Sequence, residues 1–485
     1  MTPALEVHRL SVTAISHASK APIVHSISLV LAAGERLTIL GESGSGKSVV
    51  VQAIMGNLPT NLQASGDIAI GGQTVLGRHA LAGAQTKLWG HHIAMLPQEP
   101  WLALNPSMRS HPQVSEVPYF VKAQGWLEAN RIADRALTQL QIQPFASRKY
   151  AHQISGGMAQ RVALAATCAA GAKLLIADEP TKGLDAHLRV QVAQILTQSA
   201  TGNHALITIT HDVALARWLG GTIAIMLEGV IIEQGPASQV LEHPQHPYSQ
   251  ALVAADPTRW LDLVKPLASN AGSVVEACNL SKTFGTERLF SDVSLTVAEG
   301  EVLAITGPSG CGKTSLGHLL LGLDRPDTGT VRWLGTQRPH ARQKLYQDPP
   351  AAFAPKRTLR QCLNDLITLH HKSSADAQAL MQSLKLSSEL LDRLPEQVSG
   401  GELQRFALLR VLLLQPAFVF ADEPTSRLDP ITQKITMALL CNSASEHRFG
   451  VVLVTHDDAL AEHAAHRSSA IDFHLAASPP YCRRA

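Results

Sequence analysis

Gly41-Glu-Ser-Gly-Ser-Gly-Lys-Ser48 follows the apolar run Arg36-Leu-Thr-Ile-Leu40. The pattern returns as Gly307-Pro-Ser-Gly-Cys-Gly-Lys-Thr314 after Val302-Leu-Ala-Ile305. A GxxxxGK[ST] loop has a mechanical reading: its glycines let the backbone curl so that successive N–H groups point inward at phosphates. The start of the following helix adds its positive end. On this reading Gly41, Ser43, Gly44 and Gly46 cradle one polyphosphate, and Gly307, Ser309, Gly310 and Gly312 a second. Lys47 and Lys313 would reach the β- and γ-phosphates of ATP, while Ser48 and Thr314 would ligate Mg²⁺.

One such loop could be chance; an ordered series repeated twice is not. After the first loop come Pro97-Gln98-Glu-Pro100, Ile154-Ser155-Gly156-Gly157, Leu174–Ala177 ending in Asp178-Glu179, Gly183-Leu-Asp185 and Thr210-His211-Asp212. After the second come Tyr346-Gln347-Asp-Pro349, Val398-Ser399-Gly400-Gly401, Phe418–Ala421 ending in Asp422-Glu423, Leu428-Asp429 and Thr455-His456-Asp457. The two lysines lie farther apart (47 to 313) than the two aspartates (178 to 422), so the front half of the first copy is longer. The extra length precedes Gln98, where an accessory β layer has room to be larger.

Asp178 and Asp422 each end an apolar strand, where a carboxylate can hold Mg²⁺ through water. Glu179 and Glu423 are the candidate general bases for the attacking water, and His211 and His456 the candidate γ-phosphate sensors. The apolar runs before each loop, with Leu206–Ile209 and Val451–Val454, are short, continuous and bounded by glycine or acidic residues. Such runs read as strands buried on both faces, hence a parallel sheet covered by helices. Each SGG opens a helical pattern, Met158 to Ala170 and Glu402 to Leu414, as an anion-facing helix start would. Strand-like stretches at Ala4–Val12 and Val274–Leu280 open the two copies. The expected division is a first ATPase domain over 1–256, a linker over 257–273 and a second ATPase domain over 274–485.

Composition narrows the setting. A chain of 485 residues supports several cores. Its net charge of +2 gives no electrostatic footprint for nucleic acid. The six cysteines are scattered without a CxxC pair, which fits a reduced cytosolic setting better than a disulfide framework. The 22 histidines are dispersed, so they do not make a metal-handling segment. The N-terminus carries no signal-peptide core, and no run is apolar enough to span a bilayer. The longest candidate, Val162–Ala177, reads as a buried helix followed by a buried strand. Cys311, inside the second loop, reads first as a small residue that fits there; its place beside phosphate-binding N–H groups also predicts alkylation that ATP should block.

These motifs resemble the ATP-binding cassette family over nearly the whole chain. The resemblance implies an α/β fold of two tandem P-loop ATPase domains. Each would have a mostly parallel core sheet with helices, an antiparallel β subdomain and a helical signature subdomain. It implies that Ser155, Gly156 and Gly157 complete the site of Lys313, and that Ser399, Gly400 and Gly401 complete the site of Lys47. Gln98 and Gln347 match the glutamine loop that senses Mg²⁺ and contacts membrane subunits; Asp185 and Asp429 match the loop coupling the two sites. Every hydrolytic position is filled in both copies, which implies two competent sites. An aromatic that stacks on adenine is matched by Phe284 in copy two, whereas Ser11–Ile15 of copy one offers Ala14. His17 or His25 would have to substitute, or the first site binds ATP more weakly.

Pro97–Arg109 and Gly229–Pro257, which contains His246-Pro-Tyr248, look like the oligopeptide, dipeptide and nickel importers. The chain therefore resembles both ATPase subunits of such an importer fused together. This implies an ATP hydrolase peripheral to the cytoplasmic face of the plasma (bacterial inner) membrane. Its partners would be two transmembrane permease subunits and, indirectly, a solute-binding protein, with no nucleic acid. Cargoes of that group are peptides, nickel or metal–chelate complexes. The chain departs from it in lacking a cysteine-rich tail after the HPY segment, and in Gln347–Thr358, which is degenerate against the LNP pattern. A soluble tandem-cassette ATPase acting on ribosomes is the alternative, but the short neutral linker argues against it. A DNA-repair ATPase would need zinc cysteines or coiled-coil insertions.

Overall fold

The computed structural model describes residues 2–15, 20–77, 80, 85–98, 103–169, 171–182, 184, 186–285, 287–307, 310–335, 338, 340–426 and 428–470. Its contacts divide the chain into two units, Met1–Val253 and Ala254–Ala485.

The first unit opens with β1 (Leu5–Ile15), β2 (Lys20–Leu31) and β3 (Arg36–Leu40), and the phosphate loop then leads into α1 (Lys47–Met55). Next come β4 (Leu62–Ile70), β5 (Gln73–Leu76), β6 (Ile93–Leu96), α2 (Gly156–Ala169), β7 (Leu174–Asp178) and β8 (Ala205–Thr210). The unit closes with β9 (Thr222–Leu227), β10 (Val230–Pro236) and α3 (Pro247–Ala254). An antiparallel sheet runs β2-β1-β4-β5, and the core sheet runs β10-β9-β3-β8-β7-β6. The core ladders are parallel except at β10, an antiparallel edge strand.

β7 shows why these strands are apolar throughout. Leu174 and Ile176 face one core, shared with Leu5, Val50 and Ile54 beneath the antiparallel sheet. Leu175 and Ala177 face the other, shared with Val114, Leu137 and Val162 of the helical side. Both faces are dry, so period-two alternation never appears. The helices Ser110–Glu116 and Trp126–Gln139 pack on α2 and form the helical layer ahead of the Ser155 loop.

The second unit repeats the plan with β11 (Ser273–Phe284), β12 (Glu287–Ala298), β13 (Val302–Thr306), α4 (Lys313–Leu321), β14 (Thr328–Trp333) and β15 (Arg342–Leu345). It continues with α5 (Gly400–Leu413), β16 (Phe418–Asp422), α6 (Pro430–His447), β17 (Gly450–Val454) and β18 (Arg467–Ala470). Its antiparallel sheet is β12-β11-β14 and its all-parallel core sheet β15-β16-β17-β13-β18. Among the described residues the accessory sheet thus has four strands in the first unit and three in the second. This is where the extra length before Gln98 goes.

The stretch read as an irregular linker is ordered where it meets the second unit. Trp260 is 3% exposed inside that unit's core, with Leu263 and Val264 packed alongside. Leu263 N–H donates to His463 O at 2.8 Å, and the Trp260 indole N–H to Ala255 O at 2.9 Å. A large aromatic excluded from water outweighs the lack of a regular pattern.

Candidate nucleotide sites

Both phosphate loops join a buried parallel strand to a helix through left-handed glycines. Gly46 and Gly312 stand at φ 98° and 95°, directly before α1 and α4. A side chain there would be strained in any surroundings, and at Gly312 it would also press on Phe290. Lys47 and Lys313 are each 7% exposed. Lys47 Nζ donates to Gly41 O at 2.8 Å and Glu42 O at 2.7 Å, and Lys313 Nζ to Gly307 O at 2.7 Å. Each ammonium therefore lies against its own loop.

At the end of β7, Asp178 receives the Ser48 hydroxyl. Burial pushes its carboxyl up to about 6; Glu179 adds to the rise, while Ser48, Lys47 and Lys182 oppose it. Asp178 Oδ1 is buried with no hydrogen-bond partner among the described residues. A buried, unsatisfied carboxylate oxygen beside a loop serine is a donor set that suits a hard cation such as Mg²⁺. In the second unit Thr314 Oγ1 lies 3.3 and 3.1 Å from the two oxygens of Asp422.

The two glutamates share an unusual backbone. Glu179 and Glu423 adopt φ 48° and 44°, left-handed values that cost a non-glycine residue about 1–3 kcal/mol. Each is held by a neighbouring strand: Glu179 N–H donates to Ile209 O at 2.8 Å and Glu423 N–H to Val454 O at 3.1 Å. The twist turns each carboxylate toward the histidine after the adjacent strand. His211 Nδ1 lies 2.7 Å from Glu179 Oε1, and His456 Nδ1 lies 3.3 Å from Glu423 Oε1. Burial raises Glu179, but the His211 and Lys47 charges, with hydrogen bonds from His211 and Thr210, outweigh it and hold the acid below its ordinary value. His211 is held above its ordinary value, because Glu179 and Asp212 more than offset its burial. Burial likewise works against ionised Glu423, and His456, Lys313 and Gln347 overcome it. Each pair is a carboxylate kept charged next to a histidine.

Gln347 Nε2 donates to Glu423 Oε2 at 2.9 Å, joining the glutamine loop to the candidate base. Gln98 stands exposed just beyond β6. Ser155 and Gly156 are exposed at the head of α2, as are Ser399 and Gly400 at the head of α5. Ser399 Oγ caps α5 by accepting from Glu402 N at 3.3 Å, and Ser155 Oγ accepts from Met158 N at 3.3 Å. A Cβ at Gly156 or Gly400 would meet nothing within 4 Å, so the helix starts are open to an anion. Asp429 caps α6, accepting from Thr432 N at 2.9 Å. Ser309, Asp185 and His17 lie outside the described residues.

Strand register settles which residue stands where Phe284 does. Phe284 pairs with Glu287 in one hairpin and Ala14 with Ala21 in the other, at matching positions. Phe284 is 78% exposed, an aromatic face free to stack. His25 projects from β2 as an exposed residue, its backbone N–H bonded to Gly229 O at 2.9 Å. Cys311 is 1% exposed and packs into the core with Phe290 and Leu316, which favours the small residue that fits the loop over a reactive thiol.

Two site residues escaped the sequence reading. Tyr248, on α3 in the extension after the core sheet, accepts the Glu42 N–H of the phosphate loop at 3.0 Å. Glu233 on β10 holds that extension by accepting from Gln245 N at 2.9 Å and His246 N at 3.1 Å. The second is Lys344, whose Nζ lies 3.3 Å from Asp422 Oδ2.

Paired phosphate loops, strand-end carboxylates and glutamate–histidine pairs define an ATPase built twice on one chain. The ABC transporter family model matches residues 24–182 and 290–426, and the chain belongs to that family. It is similar to the peptidoglycan transport ATP-binding protein YejF of Agrobacterium fabrum, 31% identical over 94% of this chain and 88% of that one. It is also similar to the glutathione import ATP-binding protein GsiA of Salmonella typhi, 30% identical over 96% and 84%. Among solved structures, an archaeal ribosome recycling factor, aABCE1, in complex with the ribosomal stalk protein aP1, superposes with a TM-score of 0.66. It is 20% identical over 90% of this chain and 83% of that one, a likeness of fold. No helix among the described residues is long and apolar enough to cross a membrane.

Proposed function

We propose that this chain is the ATP-hydrolysing subunit of an importer of the peptide/nickel type. It would work peripherally at the cytoplasmic face of the plasma membrane, with two transmembrane permease subunits and, indirectly, a solute-binding protein. The observation that carries the reading is the pair of complete hydrolytic constellations fused in one chain. Relatives of matching length named for peptidoglycan transport and glutathione import support it, and favour a peptide-bearing solute over nickel or a metal chelate. The aABCE1 likeness, at 20% identity, does not extend to a ribosomal partner.

In this reading residues 1–256 and 274–485 act as two cassettes joined through 257–273. Lys47 and Lys313, with the loop N–H groups, bind and orient the β- and γ-phosphates. Ser48 with Asp178, and Thr314 with Asp422, together with Gln98 and Gln347, would hold Mg²⁺, which would supply neutralisation of the charge developing on the phosphates. Glu179 and Glu423, kept ionised, take the proton of the attacking water, and His211 and His456 hold the γ-phosphate end of the site. Ser155-Gly156-Gly157 serves the site of Lys313, Ser399-Gly400-Gly401 that of Lys47, and Asp185 and Asp429 couple the two.

The test is affinity purification of the tagged chain from detergent-solubilised membranes at native expression, with co-purifying proteins identified. Two multi-span permeases and a solute-binding protein are expected. Ribosomal proteins without permeases would overturn the importer reading.

A further inference from the structure

The second unit carries a cation where the first carries a thioether. Lys344 on β15 places Nζ 3.3 Å from Asp422 Oδ2, with the two side chains 13% and 11% exposed. β15 lies parallel to β16 with Lys344 opposite Phe420, as Met95 on β6 lies opposite Ile176 on β7. Lys344 Nζ is also 3.2 Å from His318 Nε2 on α4, 5.2 Å from the Tyr346 ring centre and 5.8 Å from that of Phe420.

These neighbours change together. Where the second unit has Lys344, His318, Tyr346 and Phe420, matching positions of the first hold Met95, Gln52, Pro97 and Ile176. Gly317 belongs to the set, because a Cβ there would overlap the Phe420 ring; at the matching positions the first unit has Val51 and Ile176, both buried in one core. The second unit thus provides a pocket of ring faces and a histidine nitrogen that holds an ammonium against Asp422.

We propose that Lys344 is a resident counter-ion of Asp422 that competes with the divalent cation, so that ATP binding at the second site gains less from Mg²⁺ than at the first. The inference rests on the reading of Asp422 as the metal-side carboxylate. Both Asp422 oxygens already face donors, Thr314 Oγ1 at 3.3 and 3.1 Å and Lys344 at 3.3 Å. Asp178 keeps one buried oxygen unpartnered among the described residues. A dication at Asp422 must displace the ammonium or sit beside a like charge, and Coulomb repulsion over a few ångströms away from bulk water is large. Lys344 is a positioning residue: it acts through Asp422 and not on the phosphates.

The experiment uses the full chain with Lys47→Ala to silence the first site. Affinity for mant-ATP is measured with Mg²⁺ and again with EDTA, and the ratio of the two is read. Lys344→Met should raise that ratio roughly tenfold or more. In the reciprocal chain, silenced by Lys313→Ala, Met95→Lys should lower the ratio at the first site; this arm decides the matter should Lys344→Met fail to fold. A salt bridge that merely ties β15 to β16 would leave both ratios unmoved. Unmoved ratios overturn the inference if Asp422→Asn, in the Lys47→Ala chain, still lowers the ratio. If Asp422→Asn also has no effect, the metal-side reading of Asp422 fails and the inference falls with it.

Discussion

Phe284 and Ala14 occupy the same hairpin position in the two units, and if that position stacks on adenine the two sites differ in affinity for ATP. Stacking a base on an aromatic is worth about 1–3 kcal/mol, which corresponds to roughly 5- to 150-fold in affinity. Phe284→Ala should weaken ATP binding at the Lys313 site by a factor in that range, and Ala14→Phe should tighten it at the Lys47 site. Each is measured by equilibrium nucleotide binding with the other site's lysine replaced. Equal affinities at the two sites, insensitive to both changes, would show that neither position touches the base. This asymmetry was legible in the sequence, because a missing aromatic is a local fact. Lys344 was not. Its partner is far along the chain, and only the adjacency of β15 and β16 brings ammonium and carboxylate together. The left-handed backbone of Glu179 and Glu423 was equally hidden, since nothing in Asp-Glu-Pro-Thr specifies a positive φ.

Among elements, the strands were the most readable. Arg36–Leu40 forms β3 with the bounds its apolar run suggests, and Val162–Ala177 divides into a helix and a strand as expected. Burial on both faces writes itself into sequence as continuous hydrophobicity. The extension after β10 was recognised as a motif, but its mechanical role was not, because Tyr248 reaches a residue 206 positions away. That reach makes α3 a brace for the first phosphate loop. Removing the phenol oxygen takes away the acceptor that Tyr248 gives the partly buried Glu42 N–H, and losing such a hydrogen bond typically costs about 1–3 kcal/mol. Tyr248→Phe should therefore weaken ATP binding at the Lys47 site severalfold and leave the Lys313 site unchanged. Isothermal titration of the two singly silenced chains distinguishes them; an equal loss at both would point to general destabilisation instead.

For the whole molecule, the fusion itself has a consequence that neither unit has alone. If each signature loop serves the other cassette's phosphates, hydrolysis requires the cassettes to meet. Covalent linkage makes that encounter intramolecular, with an effective concentration on the order of millimolar for a short connection. The connection is shortened further because Trp260 anchors residues before β11 to the second unit's core. ATPase activity per molecule of the intact chain should then stay constant on dilution from micromolar to nanomolar. Two separately expressed pieces, residues 1–253 and 254–485, should lose activity with dilution once their concentration falls below the affinity of one for the other. Cutting between 253 and 254 keeps Trp260 with its core, so lost activity reports the encounter and not an unfolded second unit. A steady-state phosphate-release assay over that range decides the point. Pieces that hydrolyse ATP at undiminished rate at nanomolar concentration would mean that each site is complete within its own cassette, and the cross-assignment of Ser155 and Ser399 would have to be withdrawn.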